Sequence, residues 1–217
     1  MTPSQRKART EAILRKKGIP YLSWLPCIET EEETELRTAE EIGIRMLCLL
    51  NVVGTAFHPW DLTYRNYLRE HGLWSDLTPD EFSFLTDPAP DRQTCNKFTW
   101  RIEALFVLMW AVGLFSKLPF PVRQVVNLTI VDKFRSFPSL NKSPWPFIHW
   151  LKLRPKSQIM DKSDLIYRLD WATTQAEIDG LSPPGGLDPE VVYEWHYAIN
   201  WITKYRDAEW DRVPTDT

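Results

Sequence analysis

Helical periodicity runs through most of this sequence and is the feature that most limits its possible folds. Apolar residues recur at spacings of three and four in the stretches 4–17, 36–57, 60–72, 98–115, 121–131 and 187–206, and from residue 161 onward. This spacing is typical of helices with one buried face. Only residues 125–131, VVNLTIV, are rich enough in β-branched residues to be read as a strand, and no comparable stretch exists to pair with them. The sequence therefore predicts an all-α fold of about seven to nine helices.

Residues that start and stop helices support the same assignment. Thr78, Pro79 and Glu81 form the pattern of a capping box, and Asp188 before Pro189 is a second N-terminal signal. Gly18 follows the first periodic stretch and is a typical residue just beyond a helix C-terminus. We expect helices to begin near residues 79 and 189 and the first helix to end before Gly18.

The composition indicates one domain over residues 1–217. The chain is 43% hydrophobic and 25% charged, and its 217 residues are enough to bury a sizeable core. Eleven tryptophans are unusually many for this length, and seven of them fall within or beside apolar helical patterns, which predicts a tryptophan-rich core. These seven are Trp24, Trp60, Trp100, Trp110, Trp171, Trp195 and Trp201.

Charge and cysteine usage narrow the cellular setting. The net charge of −3 argues against general nucleic-acid binding. The most apolar run, residues 104–115, is too short to cross a bilayer, so no membrane attachment is predicted. Cys27, Cys48 and Cys95 are odd in number and contain no C-x-x-C pair, which favours a reducing cytoplasm over a disulfide-bonded exterior. Residues 1–18 are basic but lack an apolar signal core, and we read them as a solvated first helix.

Two further segments have unusual charge. Residues 29–41 hold seven acidic residues against Arg37, and we expect an acidic rim there. Residues 133–160 form a basic, aromatic and proline-rich connecting segment with six lysines or arginines and no acidic residue. Its candidate binding residues are Lys133, Arg135, Phe137, Lys142, Trp145, Phe147, Trp150 and Lys152. The alternative is that the aromatic residues of this segment cover the helical core.

Known catalytic and metal-binding patterns are missing. The sequence has no glycine-rich nucleotide loop, no G-x-S-x-G and no H-E-x-x-H, and no histidine follows a glutamate at the three-residue spacing of a di-metal helix bundle. Glu194 and His196 are two residues apart and point to different sides of a helix. We therefore predict no catalytic residue, no metal site and no cofactor.

Several charged and polar side chains lie inside apolar helical patterns and need partners. Glu41 and Arg45 are four residues apart, as are Asp164 and Arg168, so each pair could bond within one helix. We predict a structural ion-pair and hydrogen-bond network, to which the polar tips of tyrosines and tryptophans donate. Its members are Glu41, Arg45, Glu103, Asp164, Tyr167, Arg168, Trp171, Glu194 and Trp201. The alternative is a functional pocket around Glu103, Asp164 and Arg168 whose carboxylates act as acid and base.

Five motifs in order resemble a widespread, mainly bacterial family, domain-of-unknown-function family 4272. They are EEIGIRMLCLLNV (40–52), WRIEALFVLMWAVG (100–113), DLIYRLDWA (164–172), EWHYAINWI (194–202) and WDRVPTDT (210–217), within a resemblance that covers residues 5–217. Trp195 departs from the family pattern, which has Arg there, and residues 160–165 are less acidic than expected. The resemblance implies a compact helical domain and marks Glu103, Asp164, Arg168, Trp171 and residues 210–211, but it implies no activity, cofactor or catalytic residue.

The leading functional hypothesis is a non-enzymatic cytoplasmic protein that binds another protein, as a toxin-neutralising (immunity-type) protein or as an adaptor. Its basis is the pair of oppositely charged segments, residues 29–41 and 133–160. The alternative is an enzyme or small-molecule binder that uses the pocket named above. A third hypothesis, single-stranded nucleic-acid binding by residues 133–156, conflicts with the net charge.

Overall fold

The computed structural model describes residues 1–217 and contains nine α-helices and no strand, which confirms the all-α prediction. The helices are α1 (Pro3–Lys16), α2 (Ala39–Phe57), α3 (Thr63–Glu70), α4 (Pro79–Thr86), α5 (Arg92–Ala111), α6 (Asn127–Arg135), α7 (Trp145–Trp150), α8 (Lys156–Ile178) and α9 (Pro189–Ile202). Short 3-10 turns connect several of them. No helix combines the length and the apolar content needed to cross a bilayer.

The long helices pack side by side in an order that differs from their order in the chain. α5 lies between α2 and α9, α8 packs on the other side of α9, and α1 packs on α8. The shorter helices α3, α4 and α7 pack on α2. As a result α9, the last helix, contacts α5 through one face and α8 through another, and polar residues on it can serve two separate sites.

The core consists of one cluster of 42 buried apolar residues centred on α2, α5 and α9, with a smaller cluster where α1 and α8 meet the start of α9. Trp110, Trp195, Trp201 and Trp210 are buried in the main cluster, as expected of a tryptophan-rich core. The core assignment of two other tryptophans was wrong, because Trp24 and Trp60 are each 78% exposed. Both lie outside the helices, so the periodic apolar face that buries a helical residue does not reach them.

The predicted helix ends are confirmed. Thr78 accepts a hydrogen bond from the backbone N–H of Glu81, whose side chain in turn accepts from the N–H of Thr78, and these contacts complete the capping box of α4. Asp188 accepts from the N–H of Val191 and caps α9. Gly18 follows α1 with φ of +66°, a left-handed conformation that glycine adopts without a steric cost.

One helix begins later than the sequence pattern indicates. Residues 121–131 were predicted as a helix, but α6 begins only at Asn127. The backbone N–H of Val125 donates to the Glu103 carboxylate at 2.5 Å, and the carbonyl of Pro121 accepts from the N–H of Asp188. These tertiary contacts hold residues 121–125 in a non-helical path that local periodicity does not encode.

The basic segment 133–160 is partly helical. It includes the end of α6, the 3-10 turn Pro138–Asn141, all of α7 and the first residues of α8. α7 packs on α2, where a Cβ on Gly43 would lie 2.8 Å from the Leu151 side chain. The segment therefore contributes both core residues and surface residues.

Candidate functional site

Asp164 and Arg168 on α8 form a fully buried ion pair, with both residues 0% exposed. Arg168 donates to the two Asp164 carboxylate oxygens from Nε at 3.3 Å and from Nη2 at 2.9 Å. Nη2 also donates to the backbone carbonyl of Pro26 at 3.0 Å. Pro26 belongs to the connection between α1 and α2, so this Asp164–Arg168 clamp fixes a loop as well as bonding within its own helix.

Glu103 on α5 is also 0% exposed, but it serves a different contact. One carboxylate oxygen accepts from the N–H of Val125, and the other accepts from the indole N–H of Trp195 at 2.9 Å. Burial raises the pKa of Glu103, and these two hydrogen bonds offset part of that rise. Trp195 is thus the side-chain donor that satisfies this carboxylate.

The three residues of the predicted pocket are not brought together. Glu103 lies on α5 and bonds to Trp195 of α9. Asp164 and Arg168 lie on α8, on the other side of α9, and Arg168 bonds to the loop between α1 and α2. None of the three lines either of the two clefts described below. Each of these carboxylates instead has hydrogen-bond donors that hold it in place.

Glu41 and Arg45, which could have bonded within α2, do not pair with each other. Arg45 turns away from its own helix and pairs with Glu81 on α4 at 2.5 Å, with both side chains buried. Glu41 instead pairs with Arg37 at 3.2 Å and accepts from the backbone N–H of Thr38, which completes the capping box of α2. The partner of Arg45 therefore lies on another helix, where Glu81 is as deeply buried as the guanidinium that it meets.

The remaining members of the predicted network are dispersed. Glu194 on α9 pairs with Arg101 on α5 at 3.1 Å, and burial raises the pKa of Glu194 despite that arginine. Trp201 packs edge-on against Trp210, and Trp171 is half-buried beside the smaller apolar cluster. The charged groups of the predicted network form separate pairs instead of one connected network. The pairs of Arg45 and Glu194 each join two helices.

The candidate surface of the basic segment is largely present at the outside of α6 and α7. Exposed residues are Arg135, Lys142, Trp150 and Lys152, and half-buried ones are Lys133, Phe137 and Trp145. Phe147 was assigned to this surface wrongly, because it is only 3% exposed and packs in the main core. Phe147 lies within α7 and packs inward, whereas Trp150 is the last residue of the helix and is 60% exposed.

A cleft of about 850 Å³ lies between the starts of α2 and α4 and the C-terminal segment 207–212. Six carboxylates and three guanidinium groups line it, together with Trp201 and Trp210. Asp211 accepts a hydrogen bond from the backbone N–H of Asp80 at 3.0 Å, and Arg45 lies over the ring of Trp210 at 5.5 Å. The family motif at residues 210–211 therefore attaches the chain end to α4.

A second, smaller cleft of about 200 Å³ opens between α8, α9 and the loop 26–29. Its lining includes Cys27, Tyr167 and His196, and His196 is only 2% exposed. The Nδ1 atom of His196 lies 3.1 Å from an oxygen of the buried Asp170 on α8. Sequence reasoning missed this pair, because it searched spacings within one helix and these residues lie on two different helices.

The fold and its buried ion pairs define an all-α domain in which charged side chains join neighbouring helices and loops. The chain belongs to the family described as Domain of unknown function (DUF4272), whose model matches residues 6–213. This confirms the resemblance seen in the sequence motifs. No curated protein and no solved structure matches the chain.

Proposed function

We propose that this domain works by binding another protein through its α6–α7 surface, which consists of Arg135, Phe137, Lys142, Trp150 and Lys152. The observation that carries the proposal is the exposure of Trp150, whose side chain is 60% exposed at the end of α7. A tryptophan is among the residues that contribute most to binding energy when a partner covers it. Its exposed apolar area is stabilised only on contact with another surface.

Trp150 is held in position by aromatic neighbours. The rings of Trp150 and Phe137 lie 5.8 Å apart, and Phe137 packs against the core residue Phe147 at 4.8 Å. Phe147 in turn belongs to the main apolar cluster. A side chain supported in this way loses little conformational freedom on binding, which favours affinity.

The charge around Trp150 indicates the chemistry of the partner. Lys142 and Lys152 are exposed and form no ion pair within 4 Å, and Arg135 has only the exposed pair with Asp132 at 3.4 Å. Arg154 does not belong to this surface, since its guanidinium donates to the backbone carbonyl of Trp110 at 2.6 Å. Unpaired cations around an exposed indole favour a partner segment that carries carboxylates beside an apolar or aromatic residue.

We place this binding in the cytoplasm, with a toxin or an adaptor client as the partner. All three cysteines are free thiols, and Cys48 is buried without a disulfide, a state that suits a reducing compartment. A neutralised toxin would bind tightly and lose its activity on binding, whereas a client would bind reversibly and keep its activity. Both kinds of partner would use the same acidic contact.

The experiment is capture of partners from the native host with tagged full-length protein, compared between wild type, Trp150→Ala and Lys152→Glu. Trp60→Ala is the matched control, because Trp60 is a more exposed tryptophan outside this surface. Quantitative mass spectrometry then gives the stoichiometry of each captured protein. Nuclease treatment of the lysate removes partners that bind through nucleic acid.

We expect one stoichiometric partner that is lost with Trp150→Ala and Lys152→Glu, is kept with Trp60→Ala and dissociates as salt increases. A partner that binds all four proteins equally would place the interface elsewhere and overturn the proposal. A signal that disappears with nuclease would instead indicate nucleic-acid binding. The lack of any stoichiometric protein partner in the host would also contradict the proposal of protein binding.

A further inference from the structure

The pair of His196 and Asp170 has the geometry of an oriented base. His196 is 2% exposed and Asp170 is 5% exposed. Nδ1 of His196 lies 3.1 Å from the Asp170 carboxylate, but the two groups are not aligned for a hydrogen bond. Catalytic hydrogen bonds in unliganded proteins are often misaligned in this way and tighten when substrate binds. Because Nδ1 lies next to Asp170, the other ring nitrogen, Nε2, is the one that can contact a molecule bound in the small cleft that His196 lines.

A thiol lies at the mouth of the same cleft. Cys27 is exposed and lines the cleft together with His196. Both residues thus belong to the lining of one cleft of about 200 Å³. The residue before Cys27 is Pro26, whose carbonyl is held by Arg168 of the Asp164–Arg168 clamp. The buried clamp therefore fixes the loop that carries the thiol.

We propose that Cys27 is a nucleophile, that His196 is its base and that Asp170 is a positioning residue that orients the imidazole. The proton of the thiol passes to Nε2, and the thiolate attacks the carbonyl carbon of a small acyl compound. The leaving group departs with the proton from Nε2, and water then hydrolyses the thioester to release the acid and restore the thiol. This proposal is independent of the α6–α7 surface, which lies on other helices.

The cleft fits a small, uncharged acyl group. Ser163, Tyr167 and Tyr205 line it with hydroxyl groups that can donate to the oxygen of a reacting carbonyl. The Asn200 amide and the Thr203 hydroxyl already donate to backbone carbonyls. Its volume is below the roughly 300 to 1,000 Å³ of typical drug-sized ligand sites, which limits the acyl group to a few carbon atoms.

The charged groups at the rim do not favour an anionic acyl compound. Glu29 lies two residues after Cys27 and is exposed, and Asp216 is paired with Arg206. The carboxylate of Glu29 disfavours a bound anion, which favours an uncharged acyl compound.

The test measures alkylation of Cys27 by iodoacetamide in the full-length protein, followed by peptide mass spectrometry, between pH 5.5 and 9. The variants are His196→Gln and Asp170→Asn, and His149→Gln is the matched control because His149 is an exposed histidine on α7. Cys48 is 0% exposed and serves as an internal reporter, since its alkylation would reveal unfolding of a variant.

We expect Cys27 at pH 7 to react about fivefold to tenfold faster in wild type than in His196→Gln, because an ordinary thiol is only a few per cent ionised at this pH. His149→Gln should match wild type. Equal rates in wild type and His196→Gln, with Cys48 protected in both, would overturn the proposal. If His196→Gln unfolds, the test uses the pH dependence of Cys27 alkylation in wild type. If this pH dependence is identical to that of a free peptide of residues 21–33, the proposal is also overturned.

A second measurement tests the substrate class with p-nitrophenyl acetate as the probe. We expect acetyl transfer to Cys27, seen as an added acetyl group on its peptide, and slower transfer in His196→Gln and Asp170→Asn. Cys27→Ser should lose the acetylated peptide. Fast alkylation without acetylation would refute carbonyl compounds as the substrate class.

Discussion

Removal of the Arg168 side chain is the most direct perturbation of this fold. In Arg168→Ala the Asp164 carboxylate keeps its charge at 0% exposure, but it loses both hydrogen bonds that now compensate its burial. The Pro26 carbonyl loses the same donor. The protein must then either bury an unpaired charge or open α8 and the loop to water.

The size of the effect follows from these losses. Breaking a buried pair by removing one partner costs about 3–5 kcal/mol, out of the roughly 5–15 kcal/mol by which a domain is stable. For a chain of this length, each kcal/mol lowers the melting temperature by about 2–4 °C, so we expect a decrease of about 6–20 °C.

The assay is thermal and urea unfolding followed by circular dichroism at 222 nm. Arg135→Ala is the matched control, because Arg135 also pairs within its helix, with Asp132, but both side chains are about 70% exposed. The control should change stability by less than about 1 kcal/mol. The double variant Asp164→Leu/Arg168→Met removes both charges and should recover much of the loss. A melting temperature for Arg168→Ala within a few degrees of wild type would refute the structural role of the clamp.

Three further predictions follow from individual contacts. Burial raises the pKa of Glu103 above its ordinary 4.5, so the folded protein holds this proton more tightly than the unfolded chain and loses that stabilisation as pH rises. The melting temperature of wild type relative to Glu103→Gln should therefore fall between pH 4.5 and 7, and a constant difference would contradict this reasoning. Gly54→Ala should destabilise the protein by about 1–3 kcal/mol in urea unfolding, because the new Cβ would lie 2.4 Å from the ring of Tyr64. A more stable variant, as the higher helix propensity of alanine alone would give, would show that the ring moves freely. Phe147→Ala should cost about 3–5 kcal/mol in the same assay and Trp150→Ala less than about 1 kcal/mol, and equal costs would mean that both side chains are buried.

Local patterns were sufficient for most of the helices and several of their ends, but not for α7, which lies in the segment 133–160 that was predicted as a connection. Apolar spacing is a property of consecutive residues, and so are the capping box at Thr78 and the left-handed glycine at residue 18. The Asp164–Arg168 pair was also predictable, because residues four apart on a helix meet regardless of the rest of the fold. The late start of α6 was not predictable, since a hydrogen bond from Val125 to Glu103 on another helix determines it.

The sequence by itself determined the all-α class, the family and several of the charged residues that are buried, among them Glu103, Asp164 and Arg168. It did not indicate that Glu81 and Asp170 are also buried. Only the tertiary structure decided which partner each charge receives. Arg45 pairs with Glu81 instead of Glu41, and His196 meets Asp170 across two helices. The reason is physical: helix periodicity fixes the face on which a side chain lies, but the order in which α2, α5, α9 and α8 pack determines what that face meets.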